Sequence, residues 1–209
     1  MDKKVLEGLA STLRKILQAA IKKRLLALGI DSHSSYGDEA VNGYLSMNVH
    51  PDLYRRLFQA YAAVGYEVFI EEVSYTWFIR LMAIRYMEVK DVLPDGIKII
   101  GHHGAAQQPE ILSNYHYLGE RVKGTEIEEL KASNEEAGYR KLFLAACNRL
   151  GNALPFLFQP LGDWMGLLLP GKMLEPGGII DRIISNEGLT KSFEEGVEAI
   201  GWLYQFYMS

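Results

Sequence analysis

Val5, Leu6, Leu9, Leu13, Ile16, Leu17, Ala20 and Ile21 recur at steps of three and four residues. That is the period of a helix with one buried face, and it predicts a first helix over residues 2–28, stopped by Gly29. Residues 29–50 are rich in Ser, Gly, Asp and Asn and read as loop or weak structure. Pro51 opens a second helix, whose Leu53, Leu57, Ala60, Tyr61 and Val64 make an apolar side that ends at Gly65. A third helix starts near 67–70 and runs to about Val89. A turn around Pro94, Asp95 and Gly96 follows, with a short β-type segment at about 97–100, then a loop over 101–109. Short helical stretches are expected at 109–118 and 125–132, and a clearer helix at 134–150. Prolines 155, 160, 170 and 176 break the next part into short pieces. Helices near 178–185 and 192–207 complete an all-α, bundle-like reading with minor β.

The third helix poses the main question. Its stretch "YTWFIRLMAIRYMEV", residues 75–89, mixes Tyr75, Trp77, Phe78 and Tyr86 with Arg80 and Arg85. On a helical wheel Ile70, Val73, Trp77, Leu81 and Ile84 share one side. Tyr75, Phe78, Ile79, Met82, Tyr86 and Val89 cover much of the other, and the two arginines point about 140° apart. A base-stacking surface needs exposed aromatics on one face with cations between them. A helix apolar nearly all round is buried among others. The core reading is therefore preferred, with the arginines meeting helix ends or carboxylates such as Glu71, Glu72 or Glu88. Arg85 and Glu88 have local pairing spacing.

The chain has 209 residues, 48% hydrophobic and 23% charged, an ordinary globular balance. One cysteine, Cys147, rules out an internal disulfide and suits a cytoplasmic location. No window of about 18 apolar residues suggests a membrane span, so no membrane partner is expected. The formal charge of −4 is uneven. Residues 1–28 carry Lys3, Lys4, Arg14, Lys15, Lys22, Lys23 and Arg24 against Asp2 and Glu7 alone, on an acidic remainder. Such asymmetry points to an anionic partner or to contact between the two parts. Lys4, Arg14, Lys15 and Lys22, with Ser11 and Gln18, fall opposite the apolar side of the first helix, within about 100° of arc. Glu7 is the only acid of that helix close to them. A one-sign stripe suits a phosphate backbone, positioning DNA without reading bases; the alternative is a solvated face. Lys23 and Arg24 sit nearer the apolar side, where they are expected to meet the helix's last carbonyls.

Other candidate chemistry is thin. His102 and His103 are neighbours in a loop, without the Cys-x-x-Cys or His-Glu-x-x-His pattern of a metal site. Cys147 lies on the apolar side of its helix and reads as a small hydrophobe. The glycines of "GDWMGLLLPG", residues 162–171, neither follow a strand nor open a helix, as a phosphate-binding loop must. Glu126, Glu128, Glu129, Glu135 and Glu136 read as a solvated acidic face. No catalytic, cofactor-binding or metal-ligating residue is assigned.

Three blocks carry a resemblance: "IEEVSYTWFIRLMAIRYMEVKDVLPDGIKII" at 70–100, "YRKLFLAACNRLGNALPFLFQPLGDWMGLLLPGKML" at 139–174 and "AIGWLYQFYMS" at 199–209. In this order they resemble the N-terminal region of the PglX family, the adenine-specific DNA methyltransferases of BREX phage-defence systems. Residues 29–50 and 101–138 add little to the match. The resemblance implies a large multidomain enzyme that transfers a methyl group from S-adenosylmethionine to adenine N6, on an adenine flipped out of the duplex. Its amino-methyltransferase motif is Asn/Asp-Pro-Pro-Tyr/Phe, and no Pro-Pro occurs in this chain. The glycine-rich cofactor loop is missing too, so no family catalytic residue carries over. The expectation is that residues 1–209 form a helical N-terminal domain, itself without cofactor or catalysis, before a catalytic domain in cis. Its aromatic, apolar end then reads as a cut inside a longer protein. DNA is the expected partner through the parent enzyme, with other phage-defence components as further candidates. The rival reading is a stand-alone helical module that binds protein or nucleic acid.

Overall fold

The computed structural model describes residues 2–34, 51–102, 108–158 and 163–209. Eight α-helices run through them: α1 Lys3–Ala27, α2 Pro51–Val64, α3 Tyr66–Val89, α4 Gly124–Ser133, α5 Glu135–Leu150, α6 Ile179–Ile184, α7 Glu187–Glu195 and α8 Glu198–Met208. Three 3-10 segments, Glu110–Leu112, His116–Arg121 and Asp163–Leu168, join them. His103, Pro160, Gly162 and most of the 29–50 loop lie outside the described residues.

The period-3.6 pattern of α1 is borne out: Leu6, Leu9, Leu13, Leu17, Ile21 and Leu25 are all buried. The Asp2 carboxylate caps the start, accepting from the Lys4 and Val5 N–H groups at 3.1 and 3.3 Å. The end is a Schellman turn. Gly29 takes φ +74°, its N–H bonds Leu26 O, and Ile30 N–H reaches back to Leu25 O. α1 lies against α8 and α3, α4 and α5 pair around the Asn134 cap, and the 163–168 segment packs on α1 and α2.

α3 runs through the middle. Phe69, Ile70, Val73, Trp77, Phe78, Leu81, Met82, Ile84 and Met87 are buried. Its aromatics meet other elements: Phe69 meets Trp164, Trp77 meets Phe143, Phe78 meets Tyr207 and Tyr86 meets Phe193, with ring centroids 4.4–6.2 Å apart. The core reading of "YTWFIRLMAIRYMEV" is therefore the observed one.

Among the described residues there is no strand, so the minor β at 97–100 is corrected. The cause is the buried carboxylate of Glu88. Its Oε1 accepts from the N–H groups of Ile99, Ile100 and Gly101 at 2.8, 2.8 and 3.1 Å. Tyr139 donates to Ile99 O, and Ile111 N–H bonds Lys98 O. Polar groups that a ladder would have used are committed locally. A Cβ on Gly101 would stand 2.9 Å from Glu88 Oε2, which explains a residue without one there.

The final helix is also corrected. The expected 192–207 helix is two, α7 and α8, divided at Gly196, whose extended backbone interrupts the helical ladder. Asn186 caps α7, accepting from Leu189 N–H at 2.8 Å.

Candidate nucleic-acid interface

The four cations of the α1 stripe do not share one fate. Lys4 and Lys15 are exposed. Lys22 is half-buried, its Nζ 3.2 Å from Glu67 Oε2. Arg14 is half-buried too, 2.9 Å from Glu71 Oε1 and with its guanidinium 5.6 Å from the Tyr207 ring. Gln18 donates to Glu71 between them. The sequence showed Glu7 as the one acid near this stripe, because Glu67 and Glu71 arrive from α3, about fifty residues away. The uneven charge is thus partly neutralised inside the fold, as one of the two readings of that asymmetry expected. Lys4 and Lys15, with Lys22 on the same line of the helix, remain on the outer ridge of α1.

Arg24 departs from expectation. It passes over the end of α1 and donates from Nε to Leu167 O at 2.9 Å. Arg140 of α5 donates to Leu169 O at 2.8 Å. Burial pushes both guanidinium groups down from their usual range, and for Arg140 the charge of Arg24 pushes the same way. Two arginines thus hold one short backbone stretch and leave an excess of positive charge beside α1. Between α1 and residues 171–182 runs a groove of about 530 Å³, rimmed by Lys23, Arg24, Lys172 and Arg182. Arg182 also lines a second, polar depression with Lys4 at the start of α1. Nothing in the sequence places Lys172 or Arg182 beside α1; only the packing does.

The remaining candidates are structural. Cys147 is fully buried, and burial pushes its thiol up to about 12. Arg80 is buried, donates to Leu157 O at 3.1 Å and lies near the Trp77 and Phe158 rings. Arg85 pairs with Glu88 at 3.4 Å, as the spacing predicted, and also donates to Thr190 Oγ1. No group of three or more His, Cys, Asp or Glu side chains converges on a metal-sized point among the described residues. The acidic run is only partly a solvated face. Glu126 pairs with Lys141 and Glu128 with Lys131, whereas Glu136 accepts from Met173 and Leu174 N–H at 2.8 and 3.0 Å, holding the 170s segment onto α5. No helix among the described residues is long and apolar enough to cross a membrane.

No family model matches the chain. Curated proteins do. The adenine-specific methyltransferase PglX of Lacticaseibacillus casei (strain Zhang) is 32% identical over 238 aligned positions, covering 99% of this chain and 20% of that protein. The adenine-specific methyltransferase BrxX of Escherichia coli O9:H4 (strain HS) is 37% identical over 150 residues, 69% of this chain and 12% of that protein. The chain therefore spans a fifth or less of the length of these relatives. Within that span, an end-to-end match to one and a closer partial match to the other place the chain in the PglX/BrxX family of adenine-specific methyltransferases, the BREX methyltransferases.

Proposed function

We propose that this chain is the non-catalytic N-terminal region of a BREX-type adenine N6 DNA methyltransferase, that it braces the catalytic part, and that it contacts the DNA backbone through α1. The parent enzyme uses S-adenosylmethionine, and its substrate is DNA. In support, the sequence contains no Pro-Pro of the amino-methyltransferase motif, and among the described residues no strand leads through a glycine loop into a helix. The observation that carries the DNA contact is the outer ridge of α1, where Lys4 and Lys15 point into solvent in line with Lys22. Such cations neutralise phosphates and release counterions, independently of sequence.

The test belongs in the full methyltransferase. Changing Lys4, Lys15 and Lys22 together to Gln weakens binding to all duplexes alike. It also makes the salt dependence shallower, by up to about 0.9 in log–log slope per lost phosphate contact. Lys22, already held by Glu67, contributes least. Unchanged affinity and slope in a folded triple variant would remove α1 from the DNA contact.

A further inference from the structure

The groove between α1 and residues 171–182 has an unusual pairing of floor and rim. Its floor is apolar, built from Ile16, Ala19, Ala20 and Ala27 of α1 and Ile179 of α6. Its rim carries four cations, Lys23, Arg24, Lys172 and Arg182, against the single carboxylate of Glu175, which Lys172 already engages at 2.5 Å. Lys172 is held on that rim with φ +62°, a backbone region that side-chain-bearing residues rarely adopt. From Ile16 to Ala27 the groove follows α1 for about 16 Å, at 1.5 Å per residue. Beyond Arg182 it meets the polar depression beside Lys4 and Thr12.

Each feature narrows the ligand. An open, elongated trough suits a linear chain better than a compact molecule. The cations ask for negative charge along that chain. The apolar floor argues against a phosphodiester backbone, which has no apolar group to place there, and favours aliphatic side chains. The groove also lies about 100° around α1 from the Lys4–Lys15–Lys22 ridge, so it does not depend on the DNA contact proposed above.

We propose that this groove is a docking site for an acidic peptide segment of a partner protein, with aliphatic side chains on the α1 floor and carboxylates on the Lys23, Lys172 and Arg182 rim. The 209-residue chain is titrated with a short fluorescein-labelled peptide alternating leucine and glutamate. Its leucine–lysine counterpart and a labelled DNA duplex serve as comparisons. Saturable binding of the acidic peptide and not of its lysine counterpart is expected, and whatever duplex binding the α1 ridge gives is expected to survive Ala20→Trp. Lys23→Glu and Arg182→Glu each weaken it about tenfold or more. Ala20→Trp, which fills the floor and leaves the charge unchanged, weakens it comparably, while Lys15→Gln on the outer ridge has no effect. Lys23 is exposed, so its variant stays informative if replacing Arg182, which holds Gly177 O, disturbs folding. The proposal is overturned by no saturable binding of the acidic peptide, by equal binding of the lysine peptide, or by a folded Lys23→Glu variant that binds as before. Loss of duplex binding on Ala20→Trp would make the groove part of a nucleic-acid face and would overturn it equally.

Discussion

Trp77 is fully buried on α3, its ring 6.2 Å from that of Phe143. Replacing it with Ala removes a large side chain from a close-packed centre and is expected to cost about 3–5 kcal/mol. Set against a total stability of roughly 5–15 kcal/mol, that leaves a weakly folded protein, visible as a lowered urea midpoint. Glu88 offers a sharper test, because its effect is polar. Burial pushes its carboxyl up, while the N–H groups of Ile100, Gly101 and Ile99 and the charge of Arg85 pull it back. Glu88→Ala strands three buried N–H donors and takes the carboxylate away from Arg85, an expected loss of about 3–5 kcal/mol. Glu88→Gln keeps an acceptor for the three donors and is expected to lose clearly less. Equal urea midpoints for the two variants would mean that the three-donor cradle is not what holds residues 99–101. Of these residues, Trp77 and Cys147 were legible as core from helical periodicity. The Glu88 cradle was not, since the Arg85–Glu88 spacing announces only a local ion pair and says nothing of loop N–H groups folding back onto it.

The helices carry their start and stop signals in the chain, and α1 shows how far those signals reach. Two glycines, one inside it and one just past its end, make opposite predictions. Gly29 needs a left-handed backbone to close the Schellman turn, so Gly29→Ala is expected to destabilise by about 1 kcal/mol or more. Gly8 lies inside the helix with open space where a Cβ would go. There Gly8→Ala is expected to stabilise by about 0.8–1 kcal/mol through helix propensity alone. Thermal melts of the two variants check both signs, and a shift in the same direction would contradict the local account. Such signals were readable for α1, α2 and α5, whose ends the sequence reading placed within a residue or so, and for the end of α3 at Val89, whereas α3 starts at Tyr66, ahead of the expected 67–70. They failed at 97–100, where a buried carboxylate competes for the backbone. They failed again at Gly196, where apolar residues continue on both sides of a break that periodicity alone bridges.

At the scale of the whole molecule, the proposed non-catalytic role is open to a direct test. The purified 209-residue chain is expected to show no saturable heat with S-adenosylmethionine in titration calorimetry. Micromolar binding would place a cofactor site inside this fold and undo the proposed division of labour. The chain alone determined the all-α class, the buried character of α3 and the family, because periodicity and motif order are local or collinear properties that survive without coordinates. It also showed the one-sign stripe on α1. Only the tertiary structure decided how that stripe is divided. Arg14 and Lys22 are spent on Glu71 and Glu67 of α3, while Lys4 and Lys15 stay in solvent. Likewise, only packing carries Lys172 and Arg182 back across the chain to rim a groove with Lys23 and Arg24. The reason is common to both cases. A helix's own face is written at three- and four-residue spacing, but which charges meet across a core depends on contacts between segments that no sequence period connects.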